Sequence, residues 1–395
     1  KRREKISHRW TQMKNSDYTD NNVEAGLVPA FYIHIPFCRK KCNYCDFVSI
    51  ATDCTDKDTN YTDKYLSALA KEIDLSVSST LYPLSSTFYI GGGTPSVLSE
   101  KQLQFLFKKT LAHLTKCASE KIEFTFEVNP ESITEKKLKV LNFFGVNRLS
   151  IGLQSFDDKI LNFLGRVHTV KDFLRCYESA RKIGFENINI DLIFGIPGQT
   201  TENWKSTLNS AIKLNPEHIS IYSLTIEKGT RFFEMGLEKD EDLDADMYEF
   251  AIEYLKKNGY HHYEISNFSR ASKPGFECKH NINYWKNGEY LGFGLGAVSY
   301  IKGKRIKNTE NLADYLNGKF RSDCEELNCE QKLSEDLMLG LRLTDGVKIS
   351  DNIKENFSTK ISNLKNAGLL KEQNNFLKLT DKGIMFANCV FREFL

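Results

Sequence analysis

The chain has 395 residues, of which 54 are Lys or Arg, 52 are Asp or Glu and 41% are hydrophobic. This length suffices for one large domain and a smaller one, and a net charge of +2 gives no reason to expect nucleic acid as a partner. No apolar run approaches the roughly 18–20 residues that cross a bilayer, so we expect no transmembrane segment.

The beginning of the chain is polar. About 25 such residues precede the first apolar run, and they start with the basic triplet Lys1-Arg-Arg3. We expect residues 1–27 to form a tail that is disordered, left over from cloning or part of an organelle-targeting segment. The expected location is the cytoplasm, with a mitochondrion or another organelle as the alternative.

Three cysteines follow the first apolar run, residues 31–35, at C-x3-C-x2-C spacing. The run predicts a buried strand that a proline ends, so Cys38, Cys42 and Cys45 lie in the loop at its carboxyl end. One small inorganic core could contact all three thiolates. A structural zinc ion and an iron–sulfur cube each usually take four protein ligands, so one position remains for another ligand. The alternatives are a zinc site that includes His34 and three unrelated buried thiols.

Further along the chain, apolar runs that predict strands alternate with helical patterns. The six predicted strands are residues 31–35, 87–90, 124–128, 148–154, 188–193 and 218–224. This alternation indicates a parallel α/β sheet or a partly closed βα-barrel. Barrel chemistry lies at the carboxyl ends of the strands, so residues that follow different strands can converge there.

The remainder of the chain has a different character. We interpret residues 28–240 as the core domain, 241–310 as a helix followed by an irregular region, and 311–395 as a smaller domain. In the smaller domain, helical patterns precede a predicted hairpin with Asn374-Asn375 at its turn. Helices followed by such a hairpin resemble a winged helix. We expect no nucleic-acid binding there, because acidic residues lie among the bases and no arginine-rich helix is present.

The cysteine spacing resembles that of the radical-SAM superfamily, in which the free iron of a [4Fe-4S] cluster binds S-adenosylmethionine. The resemblance is closest to the oxygen-independent coproporphyrinogen III oxidase-like branch and covers nearly all of residues 30–390. It implies an α/β fold: a partial, six-stranded parallel βα-barrel with a smaller C-terminal helical, winged-helix-like domain. The matching stretches are residues 32–38, 91–95, 127–130, 150–155, 191–197 and 339–342.

The resemblance also implies a set of residues that contact S-adenosylmethionine. A glycine turn lets the backbone approach a ligand, a carboxylate can accept both ribose hydroxyls, and an arginine can pair with a carboxylate. Each residue alone is more often a turn, capping or core residue. The implied contacts are Tyr32, Gly92, Gly93, Thr94, Glu127, Gln154, Arg166 and Asp191.

Within this branch, one position distinguishes two kinds of protein. The coproporphyrinogen dehydrogenases carry a fourth cysteine where this chain has Phe47, whereas HemW-type haem chaperones carry phenylalanine. These chaperones also share a His-Asn-x-x-Tyr-Trp motif that is implicated in haem binding. A neutral imidazole is a good ligand of haem iron, and two aromatic rings could cover a porphyrin; a structural histidine beside core aromatics is the alternative. The matching residues are His280, Asn281, Tyr284 and Trp285.

The resemblance therefore implies a haem chaperone that binds haem and transfers it to acceptor proteins, with a [4Fe-4S] cluster and S-adenosylmethionine as cofactors. The alternative is an oxygen-independent coproporphyrinogen III oxidase or another radical-SAM enzyme of tetrapyrrole metabolism. Phe47 argues against the oxidase, so we do not expect that activity. The sequence does not indicate an oligomeric state.

Overall fold

The computed structural model describes residues 30–52, 59–78, 87–114, 122–272 and 275–395, so the tail predicted at residues 1–27 lies outside the described ranges. The strands are β1 (Ala30–Ile35), β2 (Phe37–Cys38), β3 (Ile50–Ala51), β4 (Thr87–Gly92), β5 (Glu123–Val128), β6 (Arg148–Gln154), β7 (Ile188–Phe194), β8 (His218–Ser223), β9 (Tyr260–Glu264), β10 (Asn267–Arg270), β11 (Tyr290–Phe293), β12 (Val298–Ile301), β13 (Lys304–Asn308), β14 (Arg321–Glu326), β15 (Val347–Lys348), β16 (Leu370–Gln373) and β17 (Phe376–Leu379).

The helices alternate with the first strands and then dominate the end of the chain. They are α1 (Thr59–Ser78), α2 (Glu100–Leu114), α3 (Glu135–Phe143), α4 (Asp158–Phe163), α5 (Val170–Ile183), α6 (Thr201–Lys213), α7 (Arg231–Glu234), α8 (Glu241–Lys257), α9 (Lys279–Trp285), α10 (Leu312–Leu316), α11 (Cys329–Gly340), α12 (Asp351–Asn366), α13 (Asp381–Met385) and α14 (Ala387–Arg392). Among the described helices, none has the length and apolar character needed to cross a membrane.

The main sheet has twelve strands in the order β14-β13-β12-β11-β1-β4-β5-β6-β7-β8-β10-β9. Its seven central strands, β11 to β8 in that order, run parallel to one another, and antiparallel strands extend both sides. All six predicted strands form and pair side by side, so the predicted α/β fold is confirmed. The sheet remains open between β14 and β9, as a partial rather than a closed barrel.

Residue alternation gives the central strands one apolar and one polar face. In β1, the alternate residues Phe31, Ile33 and Ile35 belong to the main hydrophobic core, so Tyr32 and His34 lie on the opposite face. Residues paired between parallel strands share a face, which places the polar residues of neighbouring strands beside Tyr32. We call this surface the inner face; its polar members include Tyr89, Glu123, Thr125, Glu127, Arg148, Ser150, Asn189, Asp191, His218 and Ser220.

The prediction that an irregular region follows the helix within residues 241–310 is wrong. This region contains β9 to β13 and α9. Its strands have only four or five residues, several of them are polar, and β11 includes Gly292, so they carry little local signal of strand formation. They form by pairing with the edges of the larger sheet: β10 with β8, and β11 with β1. Tertiary pairing therefore decides the structure of this region.

The C-terminal region has a hydrophobic core of its own and a three-stranded antiparallel sheet, β15-β17-β16. The predicted hairpin is confirmed, because Asn374 and Asn375 join β16 to β17 with φ angles of 51° and 63°, as a tight hairpin turn requires. This region contacts the main sheet around Arg342, whose backbone oxygen accepts a hydrogen bond from the Ile265 nitrogen at 3.1 Å.

Candidate functional site

The three cysteines lie on one loop beside the inner face. Cys38 is 8% exposed at the end of β2, and Cys42 and Cys45 are half-buried; all three are free thiols. The loop is held from the far side of the barrel, because the backbone nitrogen of Asn43 donates to the Leu164 oxygen at 2.9 Å. The structure thus fixes all three thiols at the carboxyl end of β1, as the sequence predicts.

A chain of hydrogen bonds connects two of these thiols, Cys38 and Cys42. Thr94 Oγ1 donates to Cys38 Sγ at 3.4 Å, and Asn129 Nδ2 donates to Thr94 Oγ1 at 2.9 Å. Arg166 continues this chain to Cys42: its Nη2 donates to Asn129 Oδ1 at 2.6 Å, and its Nη1 donates to Cys42 Sγ at 3.5 Å. Hydroxyl and guanidinium donors aimed at sulfur favour the thiolate, which is the form that binds metal.

The chemistry of this loop fits an iron–sulfur cluster better than a single zinc ion. Burial raises the pKa of Cys38 to about 11 without metal, so ionisation depends on a bound cation and on the donors just described. A cluster binds one thiolate at each of several irons, which suits three separate thiols on one loop. His34 is also engaged elsewhere: its ring nitrogens bond Tyr32 Oη at 2.9 Å and the Val48 oxygen at 2.8 Å.

The glycine turn after β4 packs tightly against the cysteine loop. A Cβ on Gly92, whose φ is +116°, would lie 2.6 Å from the His34 ring, and one on Gly93 would lie 2.8 Å from the Pro36 backbone. The Thr94 nitrogen also donates to the Phe37 oxygen at 2.8 Å. Only glycine allows this approach, so the turn shapes the pocket next to the cysteines.

Two buried carboxyl groups belong to the inner face, and one of them, Glu127, contacts this turn. Glu127 accepts from Tyr89 Oη at 2.8 Å and from the Gly92 nitrogen at 3.1 Å, and burial raises its pKa to about 7. Asp191 accepts from Ser150 Oγ at 2.9 Å, and burial raises its pKa too. Negative charge on Asp191 raises the pKa of Glu127 further. Binding of a cationic ligand near the two carboxyl groups would therefore be favoured.

Gln154 and Arg166 meet at the end of β6. A Cβ on Gly152 would lie 3.0 Å from Gln154 Nε2 and 3.4 Å from Arg166 Nη2. Gln154 has a φ of 75° next to an irregularity in the β6–β7 pairing, which turns its side chain toward this end of the sheet. The structure therefore brings Thr94, Gln154 and Arg166 together around Asn129, a residue that the sequence analysis did not single out.

A second network, also absent from the sequence predictions, links Asp191 to the start of α9. Asn189 Nδ2 donates to Asp191 Oδ1 at 2.8 Å, and Asn189 Oδ1 accepts from His218 Nδ1 at 2.6 Å. Tyr263 Oη then donates to His218 Nε2 at 2.8 Å and accepts from the Cys278 nitrogen at 3.1 Å. The sequence feature that could have indicated this network is the placement of polar residues at every second position of the predicted strands.

His280 is buried beneath the inner face, at 1% exposure. Its Nδ1 bonds Thr87 Oγ1 at 3.0 Å, and its Nε2 bonds Tyr284 Oη at 3.0 Å. Burial lowers the pKa of His280 to about 3, so the imidazole is neutral. Glu123 accepts from the backbone nitrogens of Lys279 and His280 at 3.0 and 3.1 Å and holds the start of α9 in place.

The other motif residues point in different directions. The Trp285 ring lies against the guanidinium of Arg342, 4.2 Å from ring centre to carbon, and so faces the C-terminal region. Asn281 is half-buried on the same helix. The structure therefore separates Trp285 from Tyr284 and does not gather the whole motif around one point.

Tyr284 instead lines a cleft of about 320 Å³ that begins at the cysteine loop. Phe47 lies on its wall and is 64% exposed. The cleft is mainly aromatic and aliphatic, with small residues opposite the rings. Its lining consists of Tyr32, His34, Phe47, Val48, Tyr284, Tyr290, Gly296, Ala297 and Val298.

Comparisons with known proteins agree with this architecture. Residues 32–211 match the radical SAM superfamily, and residues 327–386 match the HemN C-terminal domain. The heme chaperone HemW of Bacillus subtilis is 39% identical over 382 residues, which cover 92% of this chain and 98% of that protein. The heme chaperone HemW of Escherichia coli is 33% identical, over 93% of this chain and 98% of that protein.

A solved structure shares the fold. Coproporphyrinogen III oxidase (HemN) from Escherichia coli, described as a radical SAM enzyme, matches with a TM-score of 0.81. The match covers 93% of this chain and 90% of that chain at 24% identity. At this identity the likeness concerns the fold alone.

Proposed function

Since the chain belongs to the HemW family of haem chaperones, within the radical SAM superfamily, we propose that it binds haem and transfers it to acceptor proteins. The observation in its own structure that supports this function most is the aromatic cleft beside the cysteine loop. At position 47 this cleft presents an exposed phenyl ring, where an oxidase of the same branch would carry a thiol. A flat apolar wall suits a porphyrin face.

Titration with ferric haem tests this function directly. We expect saturable binding of one haem per chain, followed by a Soret band that differs from that of free haem. Binding that never saturates, with the spectrum of free haem throughout, would count against a chaperone. The protein works in the cytoplasm under this proposal, or in an organelle if residues 1–27 direct it there.

We further propose that Cys38, Cys42 and Cys45 hold a [4Fe-4S] cluster. When bound, such a cluster supplies an iron site for S-adenosylmethionine and an electron for its reduction. The protein's own contribution is electrostatic, because Thr94 and Arg166 donate hydrogen bonds to the sulfurs of Cys38 and Cys42. These donors stabilise negative charge on thiolates that burial would otherwise keep protonated.

S-adenosylmethionine is proposed to bind across the adjoining strand ends. Its sulfonium and ammonium groups are cationic. Burial raises the pKa values of Glu127 and Asp191, and a bound cation would stabilise the ionised form of each carboxyl group. Arg166 and Gln154 supply hydrogen-bond donors for its carboxylate. The glycine turn leaves room for its amino group. Asp191, which accepts a hydrogen bond from Ser150, is proposed to accept the ribose hydroxyls.

The affinity for S-adenosylmethionine is expected to fall as the pH drops below about 7. The pKa of Glu127 is about 7 in the unliganded protein, and a bound cation lowers it, so protonation and binding compete. The expected loss is up to about tenfold for each pH unit below that value. Asp191 and Arg148 face the same carboxyl group, and burial raises the pKa of Asp191 as well, so a variant that removes only the Glu127 charge is needed to isolate its share.

Calorimetry on the cluster-loaded protein between pH 6 and 8 measures this dependence. The Glu127→Gln variant provides the matched control, because it keeps the shape of the side chain but cannot ionise. Its affinity is expected to be lower and nearly independent of pH. An equally steep pH dependence in that variant would assign the titration to another group.

A further inference from the structure

The chain of hydrogen bonds between Cys38 and Cys42 has one direction, and Arg166 sets it. A guanidinium group only donates hydrogen bonds, so the atom of Asn129 that lies 2.6 Å from Arg166 Nη2 is the acceptor Oδ1. The amide nitrogen of Asn129 then faces Thr94 and donates to its Oγ1 at 2.9 Å. Because that bond uses Thr94 as an acceptor, the hydroxyl proton of Thr94 is directed to Cys38 Sγ, 3.4 Å away.

We propose that Asn129 is a positioning residue that raises the reduction potential of the cluster, because it holds Thr94 and Arg166 as hydrogen-bond donors on two cysteine sulfurs. This inference rests on the proposed [4Fe-4S] cluster and adds the residue that orients the donors. Reduction adds negative charge to a cluster and its thiolates, and donors aimed at the sulfurs stabilise that charge. The amide oxygen and nitrogen of Asn129 are both engaged by these two neighbours, so Asn129 acts on the sulfurs through them.

Backbone contacts hold Asn129 in this orientation. Its nitrogen donates to Ser96 Oγ at 3.0 Å, and its oxygen accepts from Ser132 Oγ at 3.0 Å. The two serine hydroxyl groups bond each other at 2.6 Å. Lys137 Nζ donates to the backbone oxygens of Ser96 and Ser132 at 2.8 and 2.7 Å, and both serines are buried. Asn129 is therefore supported by a fixed polar network, as the orientation of a functional side chain requires.

Arg166 uses different nitrogens for its different contacts. Nη2 donates to Asn129 and also to the Gly152 oxygen at 2.9 Å, whereas Nη1 donates to Cys42 Sγ at 3.5 Å. Gly152 leaves the space that Asn129 needs, since a Cβ there would lie 2.9 Å from Asn129 Oδ1. The buried Nε has no hydrogen-bond partner among the described residues. A ligand carboxylate can therefore bind Nε without displacing the donor on Cys42.

The reduction potential of the reconstituted cluster tests the role of Asn129. It is measured by electron paramagnetic resonance during a redox titration of the full chain, without S-adenosylmethionine. Asn129→Asp is nearly isosteric, but its carboxylate accepts from Thr94 and so turns the hydroxyl proton away from Cys38. We expect the potential to become more negative. Thr94→Val removes the same donor directly and is expected to shift the potential in the same direction.

Combining the two substitutions separates the lost hydrogen bond from the added charge of the aspartate. Because Asn129 acts through Thr94, Asn129→Asp is expected to shift the potential less in the Thr94→Val background than in the wild type. Asn147→Asp is the matched control, at the amino ends of β5 and β6 and away from the cysteine loop. The Asn147 amide also accepts and donates, to the Phe124 nitrogen at 2.9 Å and the Ile122 oxygen at 2.7 Å. Its substitution should leave the potential unchanged.

A variant without added charge completes the experiment. Asn129→Ala removes the amide and is expected to shift the potential in the same negative direction. An unchanged potential in Asn129→Ala or Thr94→Val, or equal shifts by Asn129→Asp in both backgrounds, would overturn the positioning role while leaving the cluster in place. A wild-type chain that binds no cluster after reconstitution would overturn the proposed cluster as well.

Discussion

Replacing Cys38, Cys42 and Cys45 together with serine is expected to abolish iron–sulfur binding completely. The three thiols are the only cysteines on the loop next to the proposed S-adenosylmethionine site. Serine cannot supply the thiolates on which such clusters depend. After anaerobic reconstitution, the triple variant should lack the broad visible absorption of a cluster and contain neither iron nor acid-labile sulfide.

A second triple variant serves as the control for this experiment. Cys324, Cys329 and Cys389 are half-buried or exposed cysteines away from the loop, and their replacement by serine should leave the iron and sulfide content unchanged. Full retention of iron and sulfide by the loop variant would move the cluster elsewhere. Equal losses in both variants would point to non-specific iron binding by exposed thiols.

Truncating Glu123 to alanine is expected to have the largest effect on folding among single substitutions of the inner face. The buried carboxylate accepts from two backbone nitrogens at the start of α9, and it faces the guanidinium of Arg148, which is 2% exposed. Its removal leaves a buried cation without that counter-charge. The two buried backbone donors also lose their acceptor, and each buried donor left unsatisfied costs roughly 1–3 kcal/mol of unfolding free energy.

Denaturation by urea measures this loss. Glu135→Ala is the matched control, because Glu135 pairs with Lys139 on the exposed surface of α3, and its removal should leave the unfolding midpoint unchanged. Because α9 carries Tyr284, haem affinity should fall in the Glu123 variant as well. A midpoint for Glu123→Ala that equals the wild-type value would show that α9 is held by other contacts.

Much of the fold was predictable because its signals are local. Each of the six predicted strands is a short apolar run, and each is followed by a helix with its own apolar stripe, so order and parallel direction follow from the sequence. The start of α2 carries a local signal of the same kind, because Ser99 and Gln102 form a capping box there: the nitrogen of Gln102 donates to Ser99 Oγ at 3.3 Å, and the nitrogen of Ser99 donates to Gln102 Oε1 at 2.9 Å. The strands β9 to β13 were missed because they depend on edge pairing.

The site residues could be predicted where a sequence motif fixes the conformation of a loop. They were less predictable where strand register and tertiary packing determine which side chains meet. The three cysteines, the glycine turn and Arg166 converge because they follow neighbouring strand ends. The partners of α9 could not be predicted, since Glu123 and His280 are 157 positions apart and meet through tertiary packing. His280 therefore looked like an accessible ligand in the sequence, whereas packing buries it and brings Tyr284 to the cleft.

The most direct test of the proposed function is to assay one preparation both for haem transfer and for conversion of coproporphyrinogen III. The reconstituted protein is loaded with haem and mixed with a haem-free globin, while a second portion receives coproporphyrinogen III, S-adenosylmethionine and a reductant. We expect haem to move to the globin and coproporphyrinogen III to remain intact. Conversion of coproporphyrinogen III to its decarboxylated product, with haem neither bound nor transferred, would contradict the assignment as a haem chaperone.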